Sequence, residues 1–307
     1  MRFEKIQLYE NRPDVTLRAY LISDSPELLA GKTRPAIIIC PGGAYVNCCE
    51  REAEPVALRF MAMGYHAFVL NYSVVTQDPN PYGKELEFDE KTLFPAQIRD
   101  MGKAFLAIRE HAEEWFVNPE QIIICGFSAG GHLCASYSVY WDQPVLTDYF
   151  GVSADMLKPA ASILSYPVID YKLWSEKKME SWEVLLQNAS RMALLGTTSL
   201  DEETNRKISP NYLVSQSTPP TFLWTTREDA LVQPKHALLM ATALEDAGRP
   251  YEFHVFSRGP HGLSLAKEAS SGAKEQIYPD VSQWIDLAEK WLSKYFTLDL
   301  KDVIIYE

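Results

Sequence analysis

The sequence predicts an α/β architecture: a mostly parallel central sheet with helices on both faces. Three observations carry this. Short, continuous apolar runs recur at 36–40 (AIIIC), 67–70 (AFVL), 122–125 (IIIC), 162–164 (SIL) and 221–224 (TFLW). Such runs suit parallel strands buried on both sides. Between them lie stretches whose apolar residues return every three or four positions, the helical period. Strand and helix alternate along most of the chain, as a doubly wound sheet requires.

Taken in order, Val15, Leu17, Ala19 and Leu21 alternate with other residues, which reads as a strand wet on one face. An antiparallel start of this kind makes the sheet mixed. Ile98, Met101, Phe105, Ile108, Ala112 and Trp115 form an amphipathic stripe about five turns long. The run 122–125 leads through a glycine-rich turn into the helical-looking HLCASYSVYW. Tyr251–Phe256 reads as a further strand, and Val281, Trp284, Ile285, Ala288, Trp291, Leu292 and Tyr295 as a closing helix. One segment, 171–209, breaks the alternation. It has no sheet strand, but Trp182, Leu185 and Leu186 have helical spacing. Its ~40 residues far exceed an ordinary connection of ~4–6. It is expected to be a helical insertion, a lid or pocket wall, within a single domain spanning 1–307.

Composition removes several function classes. With 29 basic and 41 acidic side chains among 307 residues, the formal net charge is −12. No basic run is present, so nucleic acid and anionic membrane surfaces are not expected partners. Hydrophobic residues at 47% and charged residues at 23% argue against a mainly disordered chain. No apolar run approaches the ~20 residues needed to span a bilayer, and the opening MRFEKIQLYE lacks the apolar core of a secretory leader. Five cysteines, Cys40, Cys48, Cys49, Cys125 and Cys134, make no paired-ligand pattern for zinc. The expectation is a reduced, cytoplasmic protein.

The chemistry-bearing residues cluster after the apolar runs. Gly126-Phe127-Ser128-Ala129-Gly130 is the one G-x-S-x-G in the chain, set between a strand and a helix. A nucleophile elbow needs that context, because the turn is too sharp for side chains at its flanks. The helix start behind Ser128 favours negative charge nearby. Pro41-Gly42-Gly43-Ala44-Tyr45 follows the strand 36–40. Glycine-rich turns there supply the backbone N–H groups that a developing oxyanion needs, although Pro41 stands where related motifs carry histidine. The N–H groups of Ala129 and of Gly43 or Ala44 are the expected donors. The base should lie late in the chain, and among six histidines His261, in the loop RGPHG after Tyr251–Phe256, fits best. His132, one turn into the helix, and His254, inside a strand, read as packed. His66, His111 and His236 read as packed or solvated. The acid should follow the strand that starts at Thr221, where both Glu228 and Asp229 are available. Nucleophile, acid and base then come in the chain order of α/β-hydrolases.

The sequence resembles the α/β-hydrolase esterases of the bacterial acetyl esterase and acetyl-xylan esterase-like branch, related to hormone-sensitive-lipase-type enzymes. The resemblance runs from about 36 to 265, through PGGAY, GYHAFVLNYSV, ICGFSAGGHLCAS, SPNYLVSQSTPPTFLWTTREDALVQPKHALLMATAL and GPHGLSLA. In relatives the pattern near the acid resembles T-A-D-D-x-L-V-P, which aligns Asp229, rather than Glu228, with the acid. Gln233 before the proline departs from that pattern. The resemblance implies an α/β-hydrolase fold and hydrolysis of short acyl, often acetyl, esters of sugars. No metal or organic cofactor is expected. Tyr45 and, in the insertion, Trp174 and Trp182 are the expected pocket walls. Amide hydrolysis of the arylformamidase or small-peptidase kind, and a non-catalytic binding role, are the competing readings.

Overall fold

A computed structural model describes residues 1–81, 83–176 and 180–300. Its strands are β1 (Arg2–Tyr9), β2 (Arg12–Leu21), β3 (Arg34–Cys40), β4 (His66–Asn71), β5 (Val117–Phe127), β6 (Ala161–Ser165), β7 (Thr221–Thr226) and β8 (Tyr251–Phe256). They form one sheet in the order β1-β2-β4-β3-β5-β6-β7-β8. β2 runs antiparallel to both neighbours, and the pairs from β4 through β8 are parallel. The helices are α1 (Glu54–Ala62), α2 (Ala96–Glu110), α3 (Ala112–Trp115), α4 (Ala129–Tyr140), α5 (Pro144–Phe150), α6 (Tyr171–Glu176), α7 (Ser181–Leu195), α8 (Glu202–Ile208), α9 (Lys235–Asp246) and α10 (Trp284–Leu292).

The continuous apolar runs are the central strands, and the pleat explains why they contain no polar positions. Ala36, Ile38 and Cys40 of β3 point into one core, with Met101, Leu133 and Met240 from α2, α4 and α9. Ile37 and Ile39 point into the other, with Phe60 of α1 and Trp284 of α10. Side chains alternate across a strand, so a strand covered on both faces must be apolar at every position. Each isoleucine fully buried this way contributes about 1.5–3 kcal/mol.

Four details differ from the sequence expectation. β1 was not foreseen; it pairs with β2 at the sheet edge. β2 is not wet on one face: Thr16 and Tyr20 are buried too. Tyr20 packs edge-on to Phe3 and donates its hydroxyl to Glu54 of α1. The five-turn stripe is broken at His111, which stacks on Trp115 and separates α2 from α3. The closing helix begins as a 3-10 turn at Val281–Gln283, and Tyr295 lies exposed beyond α10.

Between β6 and β7 the chain forms α6, α7 and α8 in place of sheet. Asp170 caps α6 by accepting from the N–H groups of Lys172 and Leu173, the arrangement that favours Asp at helix starts. Gly196 in the left-handed region ends α7. Among the described residues no helix is long and apolar enough to cross a membrane.

Candidate active site

Parallel strands deliver their C-terminal ends to one edge of the sheet, where open α/β sheets build their sites. Here the loops after β3, β5, β6, β7 and β8 converge on a cavity of about 450 Å³ lined by Gly43, Ala44, Ser128, Ala129 and His261.

Ser128 sits at the turn from β5 into α4 with φ 52° and ψ −115°, a conformation that costs a residue with a side chain about 1–3 kcal/mol. Its N–H donates to Ser165 C=O at 3.0 Å, and its own C=O accepts from His132 N–H at 2.9 Å. The turn is tight enough to demand glycine at its start: a Cβ on Gly126 would lie 2.1 Å from the Gly130 carbonyl oxygen. Close backbone approach, rather than flexibility, selects the small residue.

The Ser128 hydroxyl meets His261 Nε2 at 2.8 Å, and His261 Nδ1 donates to Asp229 Oδ2 at 2.6 Å. Asp229 is buried, and its other oxygen accepts from Leu231 N–H at 3.0 Å and Val232 N–H at 2.8 Å. That fixes the carboxylate and leaves one oxygen for the imidazole. Glu228, exposed, turns away and accepts from Gly259 N–H instead. Of the two acids left open by chain position, the one that reaches the histidine is Asp229.

Burial lowers the pKa of His261, but the charge and hydrogen bond of Asp229, with a smaller contribution from Glu52, outweigh it, and the net shift is upward from 6.5. Other buried histidines go the opposite way. Burial takes His132 and His66 down to about 4 and His236 to about 3. His132 donates from Nε2 to Ile208 C=O at 2.6 Å, so its Nδ1 accepts the Tyr45 hydroxyl at 2.7 Å. His236 Nδ1 accepts backbone N–H groups from Ile169 and Asp170. Burial holds these imidazoles neutral: among the described residues none hydrogen-bonds a carboxylate, and the charge of Asp170 near His236 does not offset its desolvation.

Gly43, Ala44 and Tyr45 have φ of 130°, 55° and 61°, so the chain makes a left-handed turn, closed by Val46 N–H on Gly43 C=O at 2.8 Å. A Cβ on Gly43 would lie 2.1 Å from Asn47 O, which excludes any other residue there. Among the described residues no hydrogen-bond acceptor is paired with the N–H of Gly43, Ala44 or Ala129. All three residues border the Ser128 cavity.

The expected walls separate. Trp174 lines the cavity, buried, with its indole N–H on Leu231 C=O at 3.0 Å. Tyr45 does not: its left-handed backbone turns the ring inward, edge-on to Tyr72 and His132. Trp182 is also absent from this wall. It is 59% exposed and borders a neighbouring apolar groove with Pro81, Phe88 and Leu185. Position along the helix separates them. Leu186 and Ser190, four and eight positions further along the same face of α7, line the Ser128 cavity, while Trp182 in the first turn lies roughly 6–12 Å short of them along the axis.

Sequence reasoning missed Glu52 and Tyr166. Glu52 is buried at the cavity and accepts from Gly42 N–H at 2.7 Å and Tyr166 O–H at 2.6 Å. Nothing in an acid-rich stretch with Glu50 and Glu54, both exposed, distinguishes the one buried acid. For Tyr166 there was a signal: an aromatic directly after β6, at the same sheet edge as Ser128. Among the described residues, no group of three or more His, Cys, Asp or Glu side chains could hold a metal ion.

The BD-FAE family model matches residues 26–244, a stretch that includes Ser128 and Asp229. An endo-1,4-beta-xylanase B from Butyrivibrio fibrisolvens is 32% identical over 257 residues, covering 82% of this chain and 35% of that relative. The chain spans 35% to 61% of the length of the curated relatives it matches. Solved structures correspond over nearly their whole length. The carboxylesterase Cest-2923 from Lactobacillus plantarum is 28% identical with a TM-score of 0.78, covering 96% of this chain and 98% of that one. An acetyl ester-xyloside bifunctional hydrolase from Caldicellulosiruptor lactoaceticus is 32% identical with a TM-score of 0.72, covering 95% and 96%. The chain belongs to the BD-FAE family and has the α/β-hydrolase fold.

Proposed function

We propose that the chain is a serine carboxylesterase for short acyl groups, with acetyl esters of sugars as its substrate class. The observation that carries this is the hydrogen-bonded series Ser128, His261 and Asp229, opening on the same cavity as the N–H groups of Gly43, Ala44 and Ala129. In this reading His261 Nε2 takes the Ser128 proton as Oγ attacks the ester carbonyl. The carbonyl oxygen becomes an oxyanion held by the backbone N–H groups at the start of α4 and in the loop after β3. Collapse breaks the ester C–O bond, and His261 returns its proton to the leaving alcohol. Water then repeats the sequence on the acyl-serine, releasing the acid. Asp229 holds the imidazole in the required tautomer and stabilises its cation. No step needs a metal or organic cofactor.

Support for a short acyl group is the buried indole of Trp174 closing one side of the cavity. Support for a sugar is the mixed lining, in which Trp174 offers an apolar face and Asn47, Arg51 and Ser190 offer polar groups. The acetyl ester-xyloside bifunctional hydrolase of Caldicellulosiruptor lactoaceticus, a relative of similar structure, points the same way. The insertion at 171–209 is read as the wall of this pocket, within one domain spanning 1–307. The five free thiols suit a reducing, cytoplasmic setting.

The test is a panel of p-nitrophenyl esters from acetate to octanoate beside acetylated xylose and formyl-kynurenine. Acetate should have the highest kcat/KM among the reporter esters, and acetylated xylose should be hydrolysed. A steady rise through octanoate would reject the short pocket, and faster turnover of formyl-kynurenine would replace ester by amide chemistry.

A further inference from the structure

We propose that Glu52 is a positioning residue for this reaction, one carboxylate that fixes the loop of the oxyanion donors and, through Tyr166, the ring of His261. The inference rests on the serine esterase reading. Glu52 belongs to the short 3-10 turn Glu50–Glu52 that follows the Gly43 loop. Its Oε2 takes the Gly42 N–H at 2.7 Å. Gly42 itself sits against the nucleophile: a Cβ built on it would lie 2.9 Å from Ser128 Cβ. Its Oε1 takes the Tyr166 hydroxyl at 2.6 Å, and that hydroxyl accepts Ser264 N–H at 2.8 Å. Tyr166 holds φ 38° and presents its ring edge-on to His261, centroids 5.0 Å apart. Arg51 secures the same loop from beside Glu52, with its guanidinium on Gly262 C=O at 2.9 Å and its own C=O accepting the Ser264 hydroxyl at 2.6 Å. One turn therefore ties the exits of β3 and β6 to the loop that carries the base.

Charge is the second part of the case. Glu52 is buried, and among the described residues no Lys or Arg nitrogen lies within ion-pair distance of it. A carboxylate removed from water without a cation is costly, and an amide or apolar residue would fill the space more cheaply. An anion there does what those residues cannot: it favours the imidazolium that forms when His261 takes the serine proton. The titratable groups that act on or pack against His261 are Asp229 from the β7 exit, Glu52 and Arg51 from the turn after β3, Tyr166 from the β6 exit and His236 from α9. Glu52 raises the His261 pKa and Arg51 opposes it.

The experiment compares the full chain with Glu52→Gln and Tyr166→Phe, measuring kcat, KM and the pH profile on p-nitrophenyl acetate, with melting temperature as the folding control. Glu52→Gln keeps the shape and removes the charge; its amide oxygen can still accept the Gly42 N–H, while its NH2 cannot accept the Tyr166 O–H, a loss that Tyr166→Phe measures separately. Expected are a several-fold fall in kcat, little change in KM, and an acid limb displaced to lower pH by about half a unit, the order of a screened interior charge. Tyr166→Phe cuts the link and leaves the charge, so kcat should fall with the limb moving less. An active wild type whose Glu52→Gln variant keeps both kcat and limb overturns the proposal and spares the esterase reading. Loss of activity that only follows loss of folded protein, with the residual limb unmoved, overturns it as well. If Glu52→Gln does not fold, an unchanged kcat in Tyr166→Phe decides against it. A wild type inactive on every ester of the panel overturns both.

Discussion

The loops at the carboxyl edge of the sheet and the helical insertion at 171–209 face each other across one cavity, but different physics holds them. At the sheet edge the backbone itself is constrained. Ser128, Ala44 and Tyr45 lie at positive φ, and added methyl groups at Gly126 or Gly43 would collide with carbonyl oxygens 2.1 Å away. The described helices of the insertion have ordinary backbone, and what they offer the cavity depends on how far along each helix a side chain sits: Trp174 at the wall, Trp182 a turn or more short of it. Backbone constraint writes itself into residue type, whereas distance from a wall that is assembled by other loops does not single out one tryptophan from another. The contrast teaches where a sequence can be read residue by residue and where it cannot.

The largest effect expected on the constrained side is that of Ser128→Ala. If the hydroxyl is the nucleophile, its loss should cost about a millionfold in turnover of p-nitrophenyl acetate, with the melting curve little altered. Full activity in a folded variant would break the serine reading outright. Next comes the acid. Asp229→Asn should lower kcat by about ten-thousandfold through loss of the required tautomer, while Glu228→Gln, altering an exposed side chain, should stay near wild type. The reverse order would exchange their roles.

On the insertion side the comparison sharpens to a pair. Trp174→Ala should destabilise the fold by about 3–5 kcal/mol, as for other buried aromatics, and raise KM for acetate esters. Trp182→Ala, at an exposed position, should stay within about 0.5 kcal/mol and leave acetate hydrolysis unchanged. Equal effects on KM would show that the groove beside the cavity belongs to the acetate site.

The smallest effect is a matter of pH. His261 must be neutral to accept a proton, so kcat/KM should fall as pH drops through its pKa, tenfold per unit at the foot of the limb. Burial pulls that pKa down, but Asp229 and Glu52 pull it up by more, so the midpoint should lie above 6.5. A midpoint below 6.5 would mean that burial wins over the carboxylates.

Much of the arrangement was legible because it is local. The double-sided burial of β3 and β5 is visible in AIIIC and IIIC, since a strand covered on both faces has no place for a polar residue. The elbow is visible in Gly126 and Gly130, because only glycine tolerates the contact. β1 was hidden because an edge strand, half exposed along its length, lacks such a run. Tyr20 was misread because α1 covers a face that alternation alone marks as wet.

By itself, then, the sequence determined the layered α/β plan, the strand-turn-helix at Ser128, the glycine-rich turn after β3 and the chain order of Ser128, the acidic pair and His261. The first three follow from periodicity or from backbone sterics within a few residues, and the last from which loops follow which strands. Between Glu228 and Asp229, chain position alone left both open and the resemblance pointed to Asp229, the acid that the structure brings to His261. Only the tertiary structure decided that Tyr45 points into the core, that Trp174 and not Trp182 meets the cavity, and that Glu52 joins Gly42 to Tyr166. Those outcomes depend on which side chains from separate loops arrive within about 3 Å of each other. The folding of the sheet edge sets that distance, and no local pattern records it.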